Sequence, residues 1–304
     1  MVFRLLLRGM YLDPGTTYFV SGSHIGDMYA IAGLAQRLKK EHGIRKFGII
    51  STGKLKKISE MFDGIDEYLI GNKHVLDLVT KVHMGALKTP RKVKVPGVNI
   101  ALPGLLEKFT TFNNYNFWDV YMCQLGLEPK TSEKYFRLPD RLPEPSVEFL
   151  RFVKKTKEPK NSVFICPSSR AMRMTRELKE FIRSLIRLFK KAGLKVFLND
   201  IPDYLQDLRE EPAIETVTLP ITDLIHIAEL FGRIIVVRSG LADILTCAET
   251  KMVVVYAQEK TQHLFNKKPY IEYFTLEPFE RRAKVLEVES VSENIQVVTN
   301  FLGT

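Results

Sequence analysis

Apolar positions along the chain follow two rhythms. Short runs such as "TTYFV", "KFGIIS", "NSVFIC", "KVFL", "RIIVV" and "KMVVVY" carry few polar interruptions. That is the pattern of strands covered on both faces, as in a parallel sheet. Longer stretches return an apolar residue every three or four positions, as in "MYAIAGLAQRLKKEHG" and "TRELKEFIRSLIRLFKKAG", which is the period of an amphipathic helix. Both end in lysines followed by a glycine, Gly43 and Gly193, the residues that suit a helix C-terminus. Each helix follows a strand and a small-residue loop and leads into another strand. A βαβ unit is therefore expected twice, about 145 residues apart.

The same reading extends each unit. The first half continues with a helix near "KLKKISEMF", a strand at "EYLI", a helix from Lys73 and a less regular aromatic stretch, "FTTFNNYNFWDVYMCQLG". The second continues with "IETVTLP", the helix "TDLIHIAELFG", the strand "RIIVVR", the helix "LADILTCAET", the strand "KMVVVYA" and a final helix at about Ser292–Phe301. Strands alternating with helices predict an α/β protein with two parallel sheets. The proline-rich "LPDRLPEPSVEFL" reads as the linker, giving domains at 1–142 and 143–304, with the last helix open to either. The opening "MVFRLLLRGMYL" is broken by Arg4 and Arg8 and falls short of the roughly 20 residues a membrane span needs. It reads as a short amphipathic helix, packed on the body or touching a membrane surface, with no signal peptide.

Composition narrows the function classes. With 45% hydrophobic and 26% charged residues, the chain has the make-up of a folded globular protein. The three cysteines, Cys123, Cys166 and Cys247, are odd in number and lie far apart, which fits a reducing cytoplasm. Neither they nor the six histidines show metal-ligand spacing, so no metal is expected. The formal charge of +10 is concentrated early, residues 35–95 holding 14 Lys/Arg against 6 Asp/Glu. That balance favours an anionic partner: a glycan, a glycolipid headgroup or a membrane surface. Nucleic acid is not expected, since no recognition motif accompanies the charge. The oligomeric state has no signature.

Chemistry is expected at strand-to-helix junctions, where backbone N–H groups and the positive helix end face outward. Three junctions stand out. "GSHIGD" supplies Gly22, Ser23, His24, Gly26 and Asp27; Asp27 is either a helix-start acid or a general base, and His24 either a catalytic group or a loop cap. "CPSSRAMRMT" supplies Ser168 and Ser169, then Arg170 and Arg173, which are caps and solvated charges or a diphosphate clamp. "VRSGLADIL" supplies Arg238, Ser239, Gly240, Leu241 and Asp243, either a capped glycine turn or, preferably, a phosphate-binding turn. None is a Walker loop, a dinucleotide fingerprint or a nucleophile elbow.

In order and spacing, "VSGSHIGDMYAIAGLAQRL", "VFICPSSRAMRMTRELKEFIRSLIRLFKKAGLKVFL" and "TLPITDLIHIAELFGRIIVVRSGLADILTCAETKMVVVYA" resemble the heptosyltransferase family, glycosyltransferase family nine. The resemblance implies a GT-B architecture, two Rossmann-like domains facing across a cleft, with acceptor on the first and nucleotide-sugar on the second. It implies inverting transfer without metal or other cofactor, in cell-surface polysaccharide or lipopolysaccharide synthesis. By the same resemblance Asp27 stands at the family's base and Arg173 near the lysine that neutralises the departing diphosphate. Ser168 and Ser169 match its phosphate loop, Thr222 its nucleobase contact, and Ser239, Gly240 and Leu241 its diphosphate turn. Arg238 and Asp243 stand where the family usually has Asp and His, and the aromatic after its lysine is missing. This points to a divergent polysaccharide branch. A nucleotide-sugar epimerase and a non-catalytic nucleotide-sugar or glycan-binding protein are the alternatives.

Overall fold

The structure is a computed structural model that describes residues 10–22, 24–76, 93–94, 116–129, 134–169, 172–209, 211–259 and 268–304. The chain divides into two units. The first comprises Met1–Pro143, Thr261–Lys268 and Leu276–Phe279; the second comprises Glu144–Lys260, Pro269–Thr275 and Glu280–Thr304.

In the first unit, β1 (Thr16–Val20) leads through a short loop into α1 (Ile25–His42), β2 (Lys46–Ser51), α2 (Lys56–Ser59) and β3 (Glu67–Ile70). A two-residue strand, β4 (Val93–Lys94), and α3 (Phe117–Gln124) complete its described elements. The sheet is all-parallel in the order β3-β2-β1-β4. Helix α1 ends at Gly43, whose φ of 62° puts it in the left-handed region and whose N–H donates to the Lys39 carbonyl. Tyr18, Val20, Ile50 and Leu76 form a buried cluster, and Met10 and Leu12 pack against it. Strand β1 pairs Tyr18 with Gly48 on β2. The Tyr18 ring lies where a side chain at 48 would be, since a Cβ there would sit 2.4 Å from Tyr18 Cδ1. Tyr29, Trp118, Phe136 and Phe279 form an aromatic cluster of their own in the same unit.

The second unit starts with α4 (Val147–Lys155), then β5 (Ser162–Cys166), α5 (Arg176–Lys191), β6 (Lys195–Leu198) and β7 (Ile214–Thr216). It continues through α6 (Asp223–Phe231), β8 (Arg233–Val237), α7 (Gly240–Leu245) and β9 (Lys251–Tyr256). Last come α8 (Tyr270–Tyr273), β10 (Lys284–Glu289) and α9 (Asn294–Leu302). All six strands are parallel, in the order β10-β9-β8-β5-β6-β7. Counted within the unit this is the 3-2-1-4-5-6 order of a Rossmann sheet. Helix α5 buries Leu178, Phe181, Ile182, Leu185, Ile186 and Phe189 along one stripe, and the Thr175 hydroxyl caps it by accepting from Leu178 N at 3.2 Å. Helix α9 packs within this second unit.

Several expectations change in detail. Helix α4 begins inside the segment read as a linker. Ser146 caps it, and the buried Asp223 accepts from Ser146 N (3.0 Å) and from its hydroxyl. The helix expected over "LADILTCAET" stops at Leu245, where the amides of Thr246, Cys247 and Ala248 donate three residues back instead of four and the Thr246 hydroxyl also donates to the Asp243 carbonyl at 2.6 Å. The irregular aromatic stretch contains α3, held by a capping box between Asn116 and Asp119. The opening helix falls largely on residues 1–9, outside the described residues, and Met10–Leu12 are not helical. The helix from Lys73 is described only over 73–76.

Candidate functional site

In each sheet the first strand has neighbours reached by connections leaving in opposite directions. In the first unit β1 lies between β2 and β4; in the second β5 lies between β6 and β8. Loops leaving the carboxyl ends of the strands diverge at such a point and open a crevice, which is where ligands bind in open α/β sheets. Apart from Thr222, which follows β7, the described sequence-derived residues lie on loops and helix starts that follow β1, β5 and β8.

In the second unit the loop after β5 carries Ser168 and Ser169, and the turn after β8 carries Arg238 to Leu241. The two are stitched together. Ser169 Oγ donates to the Arg238 carbonyl at 2.7 Å and accepts from Met172 N at 3.2 Å. The next strand joins in, since Ala257 N lies 3.1 Å from Met172 Sδ. Ser168 is half-buried, with its hydroxyl 3.4 Å from Asp200 Oδ2 at the end of β6. Tyr204 braces the same loop by donating to the Pro167 carbonyl at 2.7 Å. Arg173 leaves this loop largely exposed, 78% by side chain, with Glu259 at 3.9 Å. Arg170 lies outside the described residues.

Ser239 and Gly240 are half-buried and Leu241 is buried. Ser239 stands at the cap position of α7 without a side-chain cap bond, and the first amides of a helix have no partner within it. Arg238 and Asp243 differ from their neighbours. Both are buried, 5% and 2% exposed, and they pair through Arg238 Nη2 and Asp243 Oδ1 at 2.8 Å. The remaining guanidinium contacts are also to protein: Nε donates to the Phe274 carbonyl (2.7 Å) and Nη1 to the Ser239 carbonyl (2.6 Å). The Asp243 carboxylate holds the guanidinium even more firmly protonated, against the burial that opposes its charge. Sequence reasoning placed both residues among the donor ligands, whereas here each is bonded to the protein. Thr222 is buried at the start of α6, beside Asp223.

In the first unit, the loop after β1 is fixed where it leaves the strand. Ser21 N donates to the Ile50 carbonyl at 3.0 Å, and Ser51 Oγ to the Gly22 carbonyl at 3.1 Å. Exposed His24 is the cap residue of α1 and makes no side-chain cap bond, while Gly26 is buried and Asp27 half-buried in the first turn. Burial pushes the Asp27 carboxyl above the usual carboxylate range, and the neighbouring His24 offsets this in part. Burial, with the Asp27 charge adding to it, pushes the phenol of Tyr121 on α3 well up. Ser23 lies outside the described residues.

Sequence reasoning missed Asp200, Tyr204, Glu259 and Tyr121. The first three follow the carboxyl ends of β6 and β9, so strand ends alone could have flagged them; nothing local marks Tyr121. Among the described residues no group of three or more His, Cys, Asp or Glu side chains is placed to hold a metal. No helix among them is long and apolar enough to cross a membrane.

Two parallel Rossmann-like units in one chain are the make-up of the GT-B fold class. Solved structures share it. A glycosyltransferase family 9 protein from Veillonella parvula superposes with a TM-score of 0.54 at 17% identity, covering 96% of this chain and 92% of that one. The E. coli ADP-heptose LPS heptosyltransferase II gives 0.58 at 13% identity over 94% and 97%. The E. coli heptosyltransferase WaaC with ADP gives 0.50 at 10% identity over 95% and 99%. No family sequence model and no curated protein sequence matches the chain.

Proposed function

We propose that the protein is a glycosyltransferase. Its second unit takes a nucleotide-sugar, and its first takes a glycan or glycolipid acceptor of cell-surface polysaccharide or lipopolysaccharide synthesis. The observation that carries this is the pair of switch points, one offering a carboxyl group and the other offering cationic and amide donors. Similarity in fold to enzymes described as heptosyltransferases, one of them solved with ADP, supports the same assignment.

The chemistry follows from the residues. Asp27, with its proton affinity raised by burial, takes the proton of an acceptor hydroxyl as that oxygen attacks the anomeric carbon. The new C–O bond forms as the bond to the diphosphate oxygen breaks, inverting the configuration. The nucleoside diphosphate leaves with the electron pair. Exposed Arg173 and the amides of the Ser239–Leu241 turn neutralise the developing charge, without a metal. Ser168 lies on the loop after β5 at the same switch point. Lysines such as Lys40, Lys54 and Lys57, exposed on the first unit, suit an anionic acceptor and a peripheral position at the inner face of the cytoplasmic membrane.

The test is a thermal-shift panel of nucleotide-sugars, followed by nucleoside diphosphate release assayed with and without candidate acceptors. Stabilisation by one nucleotide class and acceptor-dependent release are expected. Release of product without acceptor would make it an epimerase or hydrolase, binding without chemistry a binding protein, and no stabilisation by any nucleotide would end this reading.

A further inference from the structure

The outer face of α4, in the second unit, has no part in the transfer chemistry. Val147, Leu150, Arg151, Lys154 and Lys155 recur at the spacing that places residues on one side of a helix, and all five are exposed. The opposite side is fixed to the unit. Phe149 is buried with its ring 5.5 Å from that of His226, and Phe152 packs edge-on to Phe197 and Phe231 at 5.9 and 6.3 Å. Both ends are closed as well. Ser146 Oγ accepts from Phe149 N at 3.1 Å, and Thr156 donates its N–H and its hydroxyl to the Phe152 carbonyl at 3.0 and 2.9 Å. The outer face is therefore formed before anything binds to it.

That face combines apolar surface with unmatched positive charge. Val147 and Leu150, one turn apart, are 58% and 49% exposed. Arg151, Lys154 and Lys155 continue into exposed Lys157 and Lys160, five cations within residues 151–160 against one acid, Glu158, with Glu148 in the first helical turn. None of the five has an ion-pair partner among the described residues. On α5, by contrast, Arg183 pairs with Asp207 and Lys190 with Glu211. The segment beyond α4 is held too, since the Lys160 carbonyl accepts from Arg233 Nη1 at 3.0 Å.

The apolar pair decides which anionic partner this face fits. A second copy of the chain, meeting it across a two-fold axis, would set Arg151, Lys154 and Lys155 against their own counterparts. Nucleic acid offers phosphates but no aliphatic surface beside them. An anionic bilayer offers both, headgroup phosphates for the cations and acyl chains for Val147 and Leu150. We infer that α4 docks the second unit on an anionic lipid surface, lying in the interface with Val147 and Leu150 inserted and the five cations on headgroup phosphates. This surface is separate from the first-unit lysines, and it does not depend on sugar transfer.

The full chain is sedimented with vesicles of phosphatidylglycerol and phosphatidylcholine, or of phosphatidylcholine alone, with no nucleotide present. The native chain is expected to bind only the anionic vesicles and to be released by salt. K154Q/K155Q is expected to bind about 30-fold more weakly, the loss for two cations at an anionic surface, and V147S/L150S about tenfold more weakly. K40Q/K54Q/K57Q, in the first unit, should lose less than K154Q/K155Q. Leu150→Trp adds a reporter to the buried Trp118, and its emission should shift to the blue on anionic vesicles. Urea midpoints should match the native one throughout, because every substituted side chain is exposed. Native-like binding by K154Q/K155Q or V147S/L150S, no blue shift in L150W, or no vesicle binding by the native chain would overturn the inference. So would self-association that V147S/L150S abolishes, or duplex DNA bound more tightly than vesicles, each of which gives the face to another partner. All of these failures leave the nucleotide reading standing, since that is tested by nucleotide-sugars alone.

Discussion

Asp27→Asn separates catalysis from stability, because the two respond in opposite directions. The carboxyl proton affinity is raised chiefly by burial, with His24 pulling the other way. A carboxyl whose folded pKa lies above its unfolded value of 3.8 binds protons more tightly when folded. Ionisation therefore costs the folded state stability as pH rises through the folded pKa, each tenfold change in proton affinity corresponding to about 1.4 kcal/mol. Asparagine is close to isosteric and removes that cost. It also forfeits the attraction of a first-turn carboxylate to the helix dipole, about 0.3–1 kcal/mol. The net upward shift means burial wins, so D27N at pH 7 should match or exceed the native melting temperature. Turnover should fall roughly 100-fold to 10,000-fold, the range for losing a general base. In the native enzyme the acid limb of the pH–rate profile should lie above the ordinary aspartate range, and in D27N that limb should vanish. Calorimetric melting at pH 7 and initial-rate release of nucleoside diphosphate across pH 4–8 measure both. Substantial turnover in D27N, or a melting temperature several degrees lower, would refute the reasoning.

Two further outcomes test the fold. Gly48→Ala places a Cβ 2.4 Å from Tyr18 Cδ1 and 2.9 Å from Thr16 Cγ2, and the Tyr18 hydroxyl is tied to Glu67 and to Asp13 N, so the ring cannot swing clear. Overpacking of this kind costs about 1–3 kcal/mol, read as a lower urea midpoint at unchanged m; an unchanged midpoint would count against the register of β1 on β2. Cys166 and Cys247 are buried, and burial pushes the Cys166 thiol far up, whereas Cys123 is half-buried. Iodoacetamide on the native protein should therefore spare Cys166 and Cys247 and modify them only in denaturant, and mass spectrometry showing rapid native labelling of Cys166 would contradict the placement of β5.

Where the fold was legible in sequence, the reason is burial on both faces. Strands β1, β2, β5, β8 and β9 are central or covered, so they appear as unbroken apolar runs. Strand β10 was missed because "KVLEVE" alternates apolar and charged residues, as befits an edge strand only partly buried. Strand β4 is two residues within a basic stretch and has no periodicity to detect. Helix α7 was overextended because the apolar pattern runs on through "TCA" while the backbone there tightens to bonds three residues back, with the Thr246 hydroxyl on the Asp243 carbonyl.

The candidate site shows the same division between local and long-range information. A strand followed by small residues and a helix marks a junction, and the junctions that fall at switch points are those carrying Asp27, Ser168 and Ser239. Which side chains at a junction face ligand is settled by long-range partners. Arg173 and Arg238 are both arginines beside a helix start; the first is 78% exposed and the second 5%. The difference comes from Asp243 and Phe274, one five residues away and the other 36. An isolated motif cannot distinguish an exposed arginine from one that holds the turn, since both satisfy the same local pattern. In this protein the carbonyls of Ser239 and Phe274 and the Asp243 carboxylate decide it, by occupying the guanidinium from inside the fold.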